Sequence, residues 1–291
     1  MARLLRIAVA VVSLAALASA QDASKTVIEE IGKGFAFTEG PAWSKDGFMI
    51  FSDTVQGKIW KWTPGSEAAS FREPSGGASG NAIDTQGRLY TCETRARRVT
   101  RTNLKDGRID VLADQWEGKK LNAPIDLAVS KNDHVYFTDP AFGDQQDHRE
   151  LDFYGVYHAP PKGPLKLVAK PTGRPHGIAI SPNGRTLYVT NADERNLRAY
   201  DIDHNGDTTG ERVLVAHLDG VPGGLKVNEK GEMYIATTKG IAIYASDGKP
   251  IHTITLRDRP SNCTFDPQGI WLYVTARSFL FRVRVDGKGA N

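Results

Sequence analysis

His176–Asn191 reads HGIAISPNGRTLYVTN: a polar head, an apolar stretch, an SPNG turn, then a second apolar stretch rich in β-branched and aromatic residues. The same pattern recurs as Glu39–Asp53 (EGPAWSKDGFMIFSD), Ser79–Glu93 (SGNAIDTQGRLYTCE) and Ile125–Asp139 (IDLAVSKNDHVYFTD). It returns as Gly223–Thr237 (GGLKVNEKGEMYIAT) and Ser261–Thr275 (SNCTFDPQGIWLYVT). In every unit a turn residue (Gly47, Gly87, Asp133, Gly184, Gly231 or Gly269) lies eight positions after the first, and successive units start 40, 46, 51, 47 and 38 residues apart. Two apolar stretches around a Gly or Asp turn make a hairpin, and a period of this size leaves room for about four strands, the sequence signature of a propeller blade.

The flanking residues extend the pattern. Third strands are expected at Lys58–Trp62, Leu197–Asp201 and Phe281–Val285, and a fourth at Arg212–His217. The last unit ends near Asp286 with three strands, while Thr26–Ile31 is a strand without a blade. Pairing the two would close the ring and remove both exposed edges. No helical periodicity interrupts the pattern, so the expected fold is all-β, a six-bladed β-propeller spanning 21–291.

Composition agrees and narrows the field. Of 291 residues, 40% are apolar and 24% charged, the balance of a folded globular chain. Lys+Arg 37 against Asp+Glu 34 gives +3, no basic field for nucleic acid. Two cysteines exclude a disulfide scaffold, and Cys92 and Cys263 fall in apolar strand runs that suit buried free thiols. Residues 1–20 are set apart: Arg3 and Arg6, the apolar run Ile7–Ala18 and the small residues Ala18-Ser19-Ala20 read as a secretory signal with a mature start near Gln21. That run is too short to span the ~30 Å of a bilayer's hydrocarbon, so export to a periplasm or the exterior is expected, with no membrane association after cleavage.

In a propeller the innermost strand of each blade begins at the central channel, so a site on the axis draws one residue per blade from equivalent positions. The first position reads Glu39, Ser79, Ile125, His176, Gly223 and Ser261, and the next reads Gly40, Gly80, Asp126, Gly177, Gly224 and Asn262. Glycine recurs where a side chain would crowd the channel mouth. Glu39, Asp126, His176 and Asn262 are the polar groups this register aims inward. The polar connection Phe142–Asp152 is a candidate lid, with His148 and Arg149 placed to meet a substrate carboxylate or hydroxyl, although exposed loop residues are usually only solvated. The run Asp201–Asp207 imitates half of a calcium loop, but Arg212 stands where the closing acid belongs, so a hairpin turn is expected. The cluster Arg95, Arg97, Arg98 and Arg101 reads as a solvated strand face, and Asp53 and Asp139 as turn caps. No GxSxG, HExxH or CxxC occurs.

The stretches FTEGPAW (37–43), RRVTR (97–101), LNAPIDLAVSKNDHVYFTDPAFG (121–143), ELDFYGVY (150–157), RPHGIAISPNGRTLYVTN (174–191) and GVPGGLKVN (220–228) carry a resemblance to the SMP-30/gluconolactonase family along essentially the whole mature chain. That resemblance implies a divalent metal, commonly calcium, at the propeller axis and hydrolysis of a sugar lactone or related ester. It implies metal ligands from a Glu in the first unit, Asn in the third and fourth, and Asp in the fifth. Here those positions read Glu39, Ile125 beside Asp126, His176 and Gly223, so Glu39 alone is unchanged. Calcium wants six to eight oxygens, whereas Glu39 with His176 suits zinc or a similar ion, with Asp126 as a third ligand if it turns into the channel. Hydrolysis could then use the metal, or His176 as general base oriented by Glu39 or Asp126, with Asn262 contacting substrate. The structural alternatives are Glu39 bonded to channel backbone and His176 filling space left by Gly223. Two functions remain open: an exported lactone or ester hydrolase acting on a small molecule, and a propeller that has lost catalysis and binds a carbohydrate or protein.

Overall fold

A computed structural model describes residues 26–286, and the proposed signal at 1–20 lies outside them. Six antiparallel four-stranded sheets form the blades. Their innermost strands are Thr38–Ser44, Ala78–Ile83, Asp126–Val129, Pro175–Ile180, Pro222–Val227 and Asn262–Phe265. Each packs on the innermost strand of the next blade, and the sixth packs on the first. The ring is held by six apolar clusters, one at each interface between neighbouring blades. Ile50, Ile59, Ala78 and Leu89, for example, fill the seam between blades one and two. The alternation of the repeat explains this: every second residue of a strand turns to one face of its blade, and both faces meet a neighbour.

Closure follows the expected route. Ile28–Lys33 pairs antiparallel with Phe279–Arg284, from Ile28 opposite Val283 to Lys33 opposite Phe279, as the fourth strand of blade six. The strand lies two residues later than its apolar run suggests. The third strands form at Lys58–Trp62, Asn196–Ile202 and Phe279–Arg284, and the outer strand of blade four is Thr208–Val215, earlier than Arg212–His217. Outer strands carry little buried pattern, so their limits are set by pairing rather than by hydrophobicity.

The described residues contain a single helical segment, the 3-10 turn Gly143–His148 within the expected lid, too short to show as a period in the sequence. Several expectations outside the axis are met. Asp53 accepts the backbone N–H groups of Ala36, Phe37 and Gln56, and Asp139 those of Asn122 and Ala123. Asp203 caps a hairpin turn through the N–H groups of Asn205 and Asp207. Cys92 and Cys263 are buried free thiols.

Candidate active site

The glycines of the innermost strands bring the blades together around the axis. A Cβ on Gly40 would lie 2.2 Å from the Ser79 carbonyl oxygen, and one on Gly177 would lie 2.4 Å from that of Gly223. Hydrogen bonds exploit this closeness: Gly80 N–H donates to the Ile125 carbonyl at 2.7 Å, Thr138 Oγ1 to that of His176 at 2.6 Å, and Thr190 Oγ1 to that of Gly223 at 2.8 Å. With the backbone so held, a cavity of about 540 Å³ opens on the axis. Five of the six first-position residues line it: Glu39, Ser79, Ile125, His176 and Gly223.

The second-position residues do not line it. Successive residues of an extended strand point to opposite sides, so with Ile125 facing the cavity Asp126 turns beneath it. Asp126 is buried, its Oδ1 accepting Leu127 N–H at 3.0 Å and its Oδ2 accepting Ile178 N–H at 3.3 Å. Asn262, expected to touch substrate, is also fully buried; it donates Nδ2 to Glu39 Oε2 at 3.2 Å and accepts Cys263 N–H at 2.8 Å. Both residues therefore support the floor of the site.

Glu39 is 4% exposed. Its Oε2 accepts the Gly40 N–H at 2.9 Å as well as the Asn262 amide, while Oε1 has no protein partner among the described residues. Burial, reinforced by the negative charge of Asp126, pushes its carboxyl up to about 7. Burial also raises Asp126, against the pull of Lys226 and its two backbone donors. His176 is half-buried, with its Nδ1 enclosed and unpartnered. Burial, with the charges of Arg259 and Arg174 behind it, lowers its imidazole to about 4. No hydrogen bond joins His176 to Glu39 or Asp126 among the described residues, so neither carboxyl orients the ring as a general base requires. Phe142, just before the 3-10 turn, stands 5.6 Å from it, ring centre to ring centre.

His148 lines the cavity as expected, beside Gln145 and Asp144 of the same 3-10 turn. Arg149 does not; its guanidinium lies over the Tyr154 ring at 4.8 Å. Sequence reasoning missed Asn122, Arg95, Arg97 and Arg259, all of which line the cavity. Arg97 was assigned to a solvated face, yet it donates to the carbonyl oxygens of Leu121 and Asn122 and pairs with Glu150 at 3.2 Å. Its left-handed backbone, φ 57°, marks a loop rather than a strand face.

The donors present do not fit the divalent ion that the resemblance implies. Both Asp126 oxygens and one Glu39 oxygen are taken by N–H groups, and the side chains of Ile125 and Gly223 offer no ligand atom. Glu39 Oε1, His176 Nδ1 and Asn122 Oδ1 are left unpartnered among the described residues: two oxygens, about four short of a calcium shell, and only two atoms of the carboxylate and imidazole types that hold catalytic zinc. Among the described residues no three His, Cys, Asp or Glu side chains gather where they could hold a metal. Calcium needs about six oxygens or more and catalytic zinc about three protein ligands. Asp126 would be a third ligand only by turning into the channel, and its side chain turns beneath the cavity instead.

Residues 37–278 match the family model described as SMP-30/Gluconolactonase/LRE-like region. The chain belongs to this family. It is 32% identical to a gluconolactonase of Zymomonas mobilis over 89% of this chain and 81% of that one. A gluconolactonase structure from Xanthomonas campestris superposes with a TM-score of 0.84 at 30% identity, covering 91% of this chain and 92% of the other. A calcium-binding regucalcin of Agrobacterium tumefaciens shares the fold, with a TM-score of 0.74 at 17% identity over 89% of this chain and 96% of that one. This family member thus has the propeller fold, with Glu39 and His176 lining the cavity on its axis.

Proposed function

We propose that this protein is an exported hydrolase of sugar lactones, working at the axial cavity through Glu39 and His176. The observation that carries the reading is Glu39 itself: a cavity-lining carboxyl with one oxygen free and a pKa near neutrality, in a chain whose relatives include gluconolactonases. A general base works best with its pKa near the working pH. Glu39 Oε1 accepts a proton from the water whose oxygen bonds to the lactone carbonyl carbon. As the tetrahedral intermediate collapses, the bond from that carbon to the ring oxygen breaks and Glu39 returns the proton to the ring oxygen, releasing a hydroxy acid. His176, neutral at pH 7, offers an imidazole N–H to the oxyanion. Its low pKa makes it a weak base, so base and hydrogen-bond donor exchange the roles the sequence suggested. The donor set leaves proton transfer to protein groups, and no step here runs through a metal.

The test is a lactone panel with and without chelator, on wild type and Glu39→Gln. Turnover that survives chelator and falls by about a hundredfold or more in Glu39→Gln is expected, the scale of losing a general base. Turnover abolished by chelator and restored by a divalent ion would overturn the metal-independent mechanism. Gly223 and Ile125, standing where the resemblance implies donors, favour the second reading of a carbohydrate- or protein-binding propeller, which predicts binding without turnover. Export rests on residues 1–20, and an N-terminus at Gln21 in protein recovered outside the cytoplasm would support it.

A further inference from the structure

The rim of the cavity is more basic than hydrolysis of a neutral lactone requires. Three arginines line it, Arg95, Arg97 and Arg259, against two acidic residues, Glu39 and Asp144. Arg97 is already satisfied by backbone carbonyls and Glu150. The guanidinium groups of Arg95 and Arg259 have no protein hydrogen-bond or ion-pair partner among the described residues, and both side chains are exposed. Neighbouring arginines do not share that condition: Arg98 pairs with Glu93, Arg174 with Asp193 and Arg257 with Glu30.

The two unpaired groups flank the acid. Arg95 follows the second strand of blade two, Arg259 precedes the innermost strand of blade six, and Glu39 heads blade one between them. Glycine at position 77 leaves room for Arg95: a Cβ there would lie 2.6 Å from the Arg95 Cγ. Arg259 also acts electrostatically on His176. A planar, permanently charged fork suits a carboxylate or phosphate, and unpaired positive charge at a concave mouth attracts such ligands.

We propose that the substrate lactone carries an anionic group, bound by Arg95 and Arg259 while its carbonyl lies beside Glu39 and His176. A carboxylate, as in lactones of sugar diacids or uronic acids, or a phosphate ester would satisfy this chemistry. The proposal rests on the hydrolase reading for the carbonyl but not for the anion.

The experiment compares kcat/KM for glucono-1,5-lactone, glucaro-1,4-lactone and 6-phosphogluconolactone, using wild type and the double variant Arg95→Gln/Arg259→Gln. Wild type is expected to prefer an anionic lactone by about tenfold or more, with the preference residing in KM and shrinking with added salt. The double variant should lose about tenfold of that selectivity ratio. Whichever anionic lactone is favoured separates carboxylate from phosphate. Equal kcat/KM for neutral and anionic lactones, or an unchanged ratio in the double variant, would overturn the proposal. If no lactone is turned over, the hydrolase reading fails and the anion site is judged by calorimetric titration with glucuronate, glucose 6-phosphate and glucose. Tighter binding of either anion, lost in the double variant, sustains the site, and equal binding of all three refutes it.

Discussion

Glu39 holds a proton at a pH where an exposed carboxylate has lost it, and Asp139, buried among backbone donors in blade three, is likewise raised to about 7. For both, the folded state binds protons that the unfolded chain releases, so their contribution to stability is complete below the ordinary carboxylate range and is lost as pH rises through about 7. The melting temperature should therefore fall between pH 5 and pH 8, by an amount thermal denaturation across that range will measure. Glu39→Gln keeps an acceptor for Gly40 N–H but carries no charge to bury. It should raise stability at pH 8 by about 1–3 kcal/mol while removing activity. In wild type, kcat/KM should rise with pH through about 7, as Glu39 ionises. Equal melting temperatures for variant and wild type at pH 8 would contradict the buried acid. Position in the repeat was enough to place Glu39 and His176 at the cavity. It erred for Asp126 and Asn262, because register names which residues reach the axis but not which side of the strand each faces.

The innermost strands make the site by what they lack. A Cβ on Gly224 would lie 2.0 Å from Asn262 Cγ, and one on Gly223 would lie 2.4 Å from the Ser261 carbonyl oxygen. Gly224→Ala should accordingly displace Asn262, loosen its bond to Glu39 and cost about 2–4 kcal/mol, checked by chemical denaturation. Gly223→Asp, which supplies the carboxylate the resemblance implies, meets backbone and should likewise destabilise. Calorimetry with calcium should show no tight site in that variant, whereas stoichiometric binding would mean the strand yields more easily than its packing indicates. Strand positions were legible wherever both faces of a blade are buried. The outer strand Thr208–Val215 and the turn Gly143–His148 were not, since pairing partners and a single short turn leave no period in the chain.

At the scale of the whole molecule, the ring closes by a strand from one end pairing beside a strand from the other. Removing residues through Lys33 would leave Phe279–Arg284 as an open edge and uncover Leu280, which packs in the seam between blades six and one. Such a truncation should unfold at lower temperature and self-associate by edge pairing, seen by scanning calorimetry and size-exclusion chromatography. A monomer of unchanged melting temperature would show that the closure contributes little. The number of blades, the closing strand and the acid at the head of blade one were all written in the repeat, because alternation and turn chemistry are local and recur with a period. The free oxygen of Glu39, the unpartnered Nδ1 of His176, the occupied oxygens of Asp126 and the two unpaired arginines at the mouth were decided only when six distant segments met. Burial, hydrogen-bond satisfaction and charge pairing depend on neighbours in space that no local stretch of chain contains.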